Sequence, residues 1–245
     1  MIEGLEARLR VRVVAHGRID STMTAALEDD GPAPALHLSE SQSAGRGRLG
    51  RGWISPPGNL YATLRWPEGE PVYPPGVLGA IQVEWARALR AAGGPEARCK
   101  WPNDGWIEGA KWSGVIAVRP TGRAGEIHVG LGANLVAAPP APADPPATAL
   151  ERHWPGWPGP AVVAELLLAA AVAVLRDGPR AVAGRLADWP LHDAIAPGAR
   201  IDVEVGGRVR SGIYRGIDAD GRLRLAEESG EARISSGEVA RLRSA

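Results

Sequence analysis

The segment at residues 45–52, Gly-Arg-Gly-Arg-Leu-Gly-Arg-Gly, is the feature that most constrains this chain. Arginine presents a planar fork of N–H donors that matches carboxylate and phosphate oxygens. Glycine lets the backbone approach a ligand and turn its N–H groups toward it. We therefore expect residues 42–53, called the arginine loop below, to bind an anion, and a phosphate-rich one fits best. A solvated loop or a weak nucleic-acid patch is the alternative that this segment alone leaves open.

Two familiar glycine motifs do not explain the loop. The spacing of Gly45, Gly47 and Gly50 resembles a dinucleotide fingerprint, but that motif requires a helix to begin at its third glycine. Pro56 and Pro57 follow closely, and they do not begin a helix of any length. A protein-kinase loop is excluded because the other kinase motifs are absent and the chain contains no phenylalanine.

Charge and composition limit the class of protein. Lys+Arg and Asp+Glu both number 28, so the formal net charge is zero and gives no support for a general nucleic-acid binder. Cys99 is the only cysteine, which excludes an internal disulfide, favours a reducing compartment and suggests a core residue. Residues 1–15 do not read as a signal peptide, and the longest apolar run, residues 166–175, is too short to span a membrane. We expect a cytoplasmic protein with no membrane contact.

Hydrophobic periodicity and turn signals predict two domains, residues 1–196 and residues 197–245, divided at Pro197-Gly198. In the first domain, strands are predicted at residues 10–15, 35–40, 59–66, 97–101, 115–118 and 127–135. Helices are predicted at residues 76–92, 160–176 and 180–189, together with a short helix that ends at residue 28 and is capped by Ser21 or Thr22. Residues 137–146 are expected to be an extended loop. The second domain has predicted strands at residues 201–205, 209–214, 223–226 and 231–234, which indicate a small barrel or meander.

The motif Lys100-Trp101-Pro102-Asn103-Asp104 is predicted to be a strand that runs into a turn, because Pro102 keeps Trp101 out of helical geometry. The side-chain oxygens of Asn103 and Asp104 suit Mg²⁺. A turn closed by these two side chains themselves is the alternative.

Two other segments carry candidate residues. Lys111 enters an apolar strand, and a lysine directed into a pocket supplies positive charge to a phosphoryl or acyl oxygen. The alternative is that Lys111 is solvated, as most strand-end lysines are. Gly130 and Gly132 point to one face of a predicted strand, so that face lacks side chains. Such a face indicates either the approach of a ligand or the close packing of a helix.

Taken together, these motifs resemble the biotin–protein ligases in order and spacing. The most specific part is the pair formed by the arginine loop and the Lys100–Asp104 motif. Asp20-Ser21-Thr22 is similar to the start of the family's biotin pocket, and the β-rich segment ending in Ser236-Gly237-Glu238-Val239 is similar to its small C-terminal domain. The resemblance implies an α+β fold, in which a mixed β-sheet catalytic domain with packed helices, of the biotin/lipoate ligase type, is followed by a small SH3-like β-barrel.

The resemblance also implies a two-step reaction. Biotin and ATP, with Mg²⁺, form biotinyl-5′-AMP and pyrophosphate, and a lysine of a biotin carrier domain of a carboxylase then displaces AMP. Lys111 and Arg48 are the implied catalytic residues. The residues implied to bind biotin are Ser21, Thr22, Gln42, Gly45, Arg46, Gly47, Arg48, Lys111, Gly114, Gly130 and Gly132. Those implied to bind the nucleotide are Arg46, Arg48, Arg51, Trp53, Lys100, Asn103 and Asn134, and Asp104 is the implied metal ligand.

Some positions depart from the family pattern, and other functions remain open. Met23 stands where the family usually has Asn, which removes a polar contact expected at the ureido end of biotin. Trp112 is bulkier than the usual residue after the lysine. A lipoate–protein ligase and a non-catalytic ligand-binding relative are therefore the alternatives. Too few residues precede the pocket for the family's DNA-binding domain, so no DNA partner is expected, while a homodimer is compatible with the resemblance.

Overall fold

The computed structural model describes residues 4–243, with side chains described for residues 4–240. Among these residues, seven strands form the larger sheet, in the order β1-β2-β3-β7-β6-β5-β4. In chain order they are β1 Arg12–Ile19, β2 Ala35–Gln42, β3 Leu60–Pro67, β4 Arg98–Lys100, β5 Asp104–Ile107, β6 Ala110–Val118 and β7 Glu126–Ala133. β1 and β2 pair in parallel, and the other neighbours pair antiparallel.

Helices cover both faces of this sheet. They are α1 Leu5–Leu9, α2 Thr22–Glu28, α3 Val77–Ala91, α4 Pro160–Asp177, α5 Val182–Leu186 and α6 Trp189–His192. α3 and α4 carry apolar residues at helical spacing, and their buried faces join the main core. Cys99 of β4 is fully buried in that core, and burial raises the pKa of its thiol. This burial confirms the prediction of a core cysteine.

The opposite face of the sheet carries the short helix α2. Ser21 caps this helix, since its hydroxyl accepts a hydrogen bond from the backbone N–H of Met23 at 3.2 Å. Strand register brings Tyr61 opposite Gly132 and Thr63 opposite Gly130 on this face. The two glycines therefore leave space beside α2 that side chains would otherwise fill.

A second sheet follows at the C-terminal end. Its strands are β8 Arg200–Val205, β9 Arg208–Ile217, β10 Leu223–Glu227, β11 Gly230–Ile234 and β12 Glu238–Arg243, in the antiparallel order β11-β10-β9-β8-β12. The sheet is open, with β11 and β12 as its edges, and together with the larger sheet it confirms the predicted α+β class. Gly76 and Gly221 meet where the two parts join, and a Cβ at Gly221 would lie 2.2 Å from the Cα of Gly76. Only glycine permits this approach.

The structure differs from the sequence-based expectation at one helix and at two strands. The single helix predicted over residues 180–189 is wrong, because the chain forms a 3₁₀ turn at Pro179–Ala181 and then two separate helices, α5 and α6. Pro190 explains the break, since its ring would clash with the carbonyl four residues earlier in a continuous helix. β5 and β12 were not predicted. β5 is only four residues long and directly follows the turn at Asn103.

A network of charged side chains fixes the end of α2. The Asp29 carboxylate accepts hydrogen bonds from Arg12, His37 and Arg65. Arg65 also forms a paired contact with Glu126 at 2.8 and 2.9 Å. Burial alone would raise the pKa of Asp29, but hydrogen bonds from the Gly31 N–H, Arg12 and His37 outweigh it and lower this pKa to about 2. The carboxylate therefore stabilises the turn that anchors α2.

Replacing Asp29 with Asn is expected to lower the free energy of unfolding near pH 7 by about 2 kcal/mol, because a carboxyl whose pKa is depressed on folding stabilises the fold above its unfolded pKa. The difference from the wild type should shrink as the pH falls from about 4 to about 2, where the native carboxyl takes up its proton. Urea unfolding at both ends of this range measures the effect. Glu28→Gln, at an exposed neighbouring carboxylate, is the control. A loss of stability in Asp29→Asn that does not vary with pH would contradict this expectation.

Candidate active site

One cavity of about 370 Å³ lies between the larger sheet, α2 and the arginine loop. This volume lies within the usual range for small-molecule sites. Four cationic side chains line the cavity, Arg46, Arg48, Arg51 and Lys111. Two carboxylates, Asp104 and Asp144, are the acidic side chains among the described lining residues. The wall therefore has an excess of positive charge, which suits an anionic ligand.

The inner end of the cavity is polar and hydrogen-bonded. The Thr22 backbone N–H donates to Gln42 Oε1 at 2.9 Å, and Gln42 Nε2 donates to Ser55 Oγ at 3.0 Å. The hydroxyls of Thr22 and Thr63 lie 3.0 Å apart. Because α2 begins at Thr22, its cap and β2 together set the positions of these groups. They can hold the uncharged polar part of a ligand.

The arginine loop folds back on itself through its glycines. Gly45 accepts a backbone hydrogen bond from Trp53 at 2.8 Å, and a Cβ at Gly45 would lie 2.4 Å from the Trp53 carbonyl oxygen. The Trp53 indole lies on Gly114 and Gly132, where an added Cβ would come within 3.1 and 2.8 Å of the ring. These two glycines pair directly across β6 and β7. The Trp53 indole therefore packs directly against backbone that carries no side chains.

Arg48 and Arg51 connect the arginine loop to the C-terminal sheet. Arg48 donates to Asn103 Oδ1 at 3.2 Å, to the Gly237 carbonyl at 3.1 Å and to Ser236 Oγ at 3.3 Å. Arg51 forms a 2.8 Å ion pair with Glu238. Burial lowers the pKa of Arg48, and Asp104 and Glu238 act in the opposite direction. The C-terminal turn thus takes part in holding the loop over the cavity.

Lys111 and Asp104 form an ion pair at the edge of the cavity. Lys111 Nζ lies 2.8 Å from Asp104 Oδ1, and both side chains are less than one-fifth exposed. The ammonium also lies 5.4 Å from the centre of the Trp53 ring. Adjacent strands explain the pairing, because Asp104 begins β5 and Lys111 lies near the start of β6. Such a pair holds the lysine ammonium in place while leaving it accessible from the cavity.

Apart from Asp104 Oδ1, which is ion-paired with Lys111, two buried polar atoms beside the cavity have no hydrogen-bond partner among the described residues. They are the indole N–H of Trp53 and the side-chain carbonyl oxygen of Asn134. Both side chains line the cavity. Buried polar groups usually find partners, so a bound molecule is the natural partner for one or both of them.

Most of the predicted site residues share this cavity. Those that line it are Ser21, Thr22, Gln42, Arg46, Gly47, Arg48, Arg51, Trp53, Asn103, Asp104, Lys111, Gly114, Gly130, Gly132 and Asn134. Gly45 and Lys100 do not line it. Lys100 directs its ammonium toward the Trp106 ring, 4.5 Å from the centre, and burial lowers the pKa of this amine.

Sequence reasoning missed several parts of the wall. Thr63 and Tyr61 alternate along β3 and face Gly130 and Gly132, a pattern of period two that the sequence does contain. The loop at residues 139–147 also lines the cavity, although its composition predicted only an extended loop. Nothing in its sequence indicates that it folds back toward Lys111.

Comparison with known proteins shows the family to which the chain belongs. The sequence profile of the Biotin/lipoate A/B protein ligase family matches residues 16–134, and that of the Biotin protein ligase C terminal domain matches residues 198–242. A biotin–[acetyl-CoA-carboxylase] ligase of Paracoccus denitrificans is 35% identical over 246 aligned residues, which cover 91% of this chain and 97% of that protein. One from Mycobacterium tuberculosis is 32% identical, with 84% and 78% covered. The chain therefore belongs to the biotin–protein ligase family.

The fold is similar to that of a solved biotin protein ligase. The biotin protein ligase of Aquifex aeolicus, solved in complex with biotin and ATP, superposes with a TM-score of 0.80 at 22% identity, over 95% of this chain and 99% of that one. At this identity, the likeness concerns the fold alone. Within residues 4–243, none of the helices combines the length and hydropathy needed to cross a membrane.

Replacing Glu238 with Gln is expected to loosen the arginine loop, because the variant removes the ion pair to Arg51. Trypsin cuts after arginine, so the rate of cleavage at Arg46, Arg48 and Arg51 reports loop opening. Since Arg51 is half exposed, the pair is weak and the expected increase is about two- to fivefold.

The control is Glu227→Gln, which removes an ion pair to Arg210 within the C-terminal sheet. Cleavage at the loop should match that of the wild type in this control. Equal rates in the wild type and Glu238→Gln would show that the C-terminal turn does not restrain the loop.

Proposed function

We propose that this protein is an ATP-dependent ligase that activates biotin as biotinyl-5′-AMP and transfers it to a lysine of a biotin carrier domain. The observation that carries the proposal is the shared cavity of Arg48 and Lys111, which come from distant segments of a chain in this family. The reaction brings a carboxylate to an α-phosphate, so two anions must meet. Positioned cations lower the cost of that approach.

In the first step, a carboxylate oxygen of biotin attacks the α-phosphorus of ATP. The bond between that phosphorus and the oxygen bridging to the β-phosphate breaks, and pyrophosphate leaves. Lys111 would contact both the carboxylate and the α-phosphate. Arg46 and Arg48 would bind the phosphates, with Gly47 allowing close approach of the backbone. Ser21, Thr22 and Gln42 would receive the polar ring of biotin. The hydrogen bonds among these groups support this assignment, since they already fix their positions.

In the second step, the uncharged amine of the carrier lysine attacks the acyl carbon, AMP leaves, and the amine loses a proton to solvent. The protein contributes by holding the adenylate and excluding water. The arginine loop, with Arg51 and Trp53, would cover the adenylate, and Asn103 and Asn134 would border the nucleotide. Gly114, Gly130 and Gly132 would leave room for the bound molecule.

Mg²⁺ would neutralise charge on the phosphates of ATP, and Asp104 is the residue we propose to hold it. Mg²⁺ is commonly bound by one or two carboxylates together with substrate phosphates. No cluster of three or more His, Cys, Asp or Glu suitable for a metal occurs in the described part of the chain. One carboxylate of the cavity wall, that of Asp104, fits a metal that enters with the nucleotide.

Several wider assignments rest on the family. We propose residues 1–196 as the catalytic domain and 197–245 as the C-terminal domain. A carboxylase carrier domain is the proposed protein partner, the cytoplasm the proposed location and a homodimer a proposed assembly. Lipoate ligation is the second candidate, because the larger family profile includes lipoate ligases. The match to the biotin ligase C-terminal domain favours biotin.

The direct test is mass spectrometry of a biotin carrier domain after incubation with the protein, MgATP and biotin. We expect the carrier mass to increase by one biotinyl group, with no addition when lipoate replaces biotin. Transfer of lipoate without transfer of biotin would favour the second candidate. Absence of both, with a folded protein, would contradict ligase function.

Lys111→Ala is expected to lower the rate of adenylate formation by about 10²- to 10³-fold, since removal of one preorganised charge-stabilising group commonly has this effect. Arg48→Ala is expected to form the adenylate but release it, so that biotin also labels lysines of an unrelated bystander protein. Radiolabelled ATP and chromatography measure the free adenylate.

The control is Arg224→Ala, which removes an exposed cation paired with Glu231 on the C-terminal sheet. It should behave as the wild type does. Circular dichroism must show that all three variants remain folded. Wild-type rates of adenylate formation and transfer in both cavity variants would exclude our assignment of the site.

A further inference from the structure

Two large apolar side chains, one on the arginine loop and one directly after it, are unusually exposed. Leu49 is 74% exposed, the most of any large apolar residue in the described chain, and Ile54 is 56% exposed. Leu49 lies between Arg48 and Arg51, which both line the cavity, and Ile54 follows Trp53 at the cavity wall. We call Leu49 and Ile54 the apolar rim.

The backbone at Leu49 makes its exposure harder to explain by folding alone. Its φ of 55° and ψ of 34° lie in the left-handed region, which is unfavourable for a branched apolar residue. Asn or Gly would adopt this conformation more easily, and either would be more compatible with water at this position. Neither the backbone conformation nor burial therefore explains why a leucine stands at position 49.

The second step of the proposed reaction supplies a reason for exposure at this place. A lysine side chain that reaches an acyl group inside the cavity brings its own backbone and neighbours to the cavity mouth. The carrier domain must therefore touch the loop that borders the mouth. In specific protein interfaces a few well-packed residues carry most of the affinity, and the buried centre of the contact is more apolar than the rest of the surface.

We propose that the apolar rim is a docking contact for the carrier domain, in which Leu49 packs against apolar residues that flank the acceptor lysine. This inference rests on the proposed function and adds the surface by which the protein recognises its macromolecular substrate. In this proposal Arg46 and Arg48 bind the adenylate, whereas the apolar rim contacts the carrier domain.

The test separates carrier recognition from chemistry. Hydroxylamine reacts with an acyl adenylate to give a hydroxamate and needs no protein contact, so its formation measures activation alone. Labelling of the carrier domain at varied carrier concentration gives the KM for the carrier. Leu49→Asn removes the apolar side chain and suits the left-handed backbone, so the fold should be retained. Leu49→Met keeps an apolar side chain of similar volume.

We expect Leu49→Asn to raise the KM for the carrier about fivefold or more, as loss of part of a buried leucine contact would do, and to form hydroxamate at the wild-type rate. Leu49→Met should stay close to the wild type in both assays. Leu191→Asn is the matched control, because Leu191 is 69% exposed on α6 and does not line the cavity. Its KM for the carrier should not change.

Three results would overturn the inference. In the first, Leu49→Asn labels the carrier with the wild-type KM. In the second, hydroxamate formation falls as much as carrier labelling, which would mean that Leu49 acts on activation. In the third, Leu191→Asn raises the KM equally. A wild-type protein that forms no hydroxamate would instead contradict the proposed function itself, which distinguishes the two failures.

Discussion

The ion pair between Lys111 and Asp104 is the contact on which the rest of the site depends. It holds a cation at the edge of the cavity, and the residues that surround it come from the arginine loop, the Lys100–Asp104 motif and β6. A single segment could not supply this arrangement, because neighbouring cations on one loop repel each other without a counter-charge. The sheet supplies that counter-charge, because Asp104 at the start of β5 lies beside Lys111 of β6.

Backbone without side chains is the second requirement. Gly114 and Gly132 pair across two strands, so the indole of Trp53 lies directly on the sheet. The arginine loop can then fold over the cavity instead of extending into solvent. Its outer contacts reach Ser236, Gly237 and Glu238, so the C-terminal sheet and the active-site loop are mechanically linked. Through these contacts the smaller sheet reaches a cavity that is formed mostly by the larger one.

The sequence predicted those features that follow local rules. The small polar residues before a short helical run predict a cap at Ser21 or Thr22, and the structure has Ser21 as the cap. The arginine loop and the Lys100–Asp104 motif could be paired because each has unusual chemistry at fixed spacing. Their meeting in one cavity required the resemblance to a family, because the residues lie about 50 positions apart in the sequence.

Other features depend on tertiary contacts that leave little local signal. Thr63 looks like any polar residue in a strand, and only the register with Gly130 shows that it faces the cavity. Residues 139–147 have the composition of a linker, and their return to Lys111 depends on a backbone hydrogen bond from Lys111 to Pro146 at 2.7 Å. The break between α5 and α6 has a local cause that the sequence does contain, because Pro190 is incompatible with the interior of a continuous helix.

The most direct measurement of the central claim is pyrophosphate release by the wild-type protein from MgATP, with and without biotin, before any carrier is added. If the cations of this cavity allow a carboxylate to meet the α-phosphate, release should require biotin and stop near one equivalent per site, because the adenylate is retained. Release that is independent of biotin, or none in its presence from a folded protein, would contradict the claim.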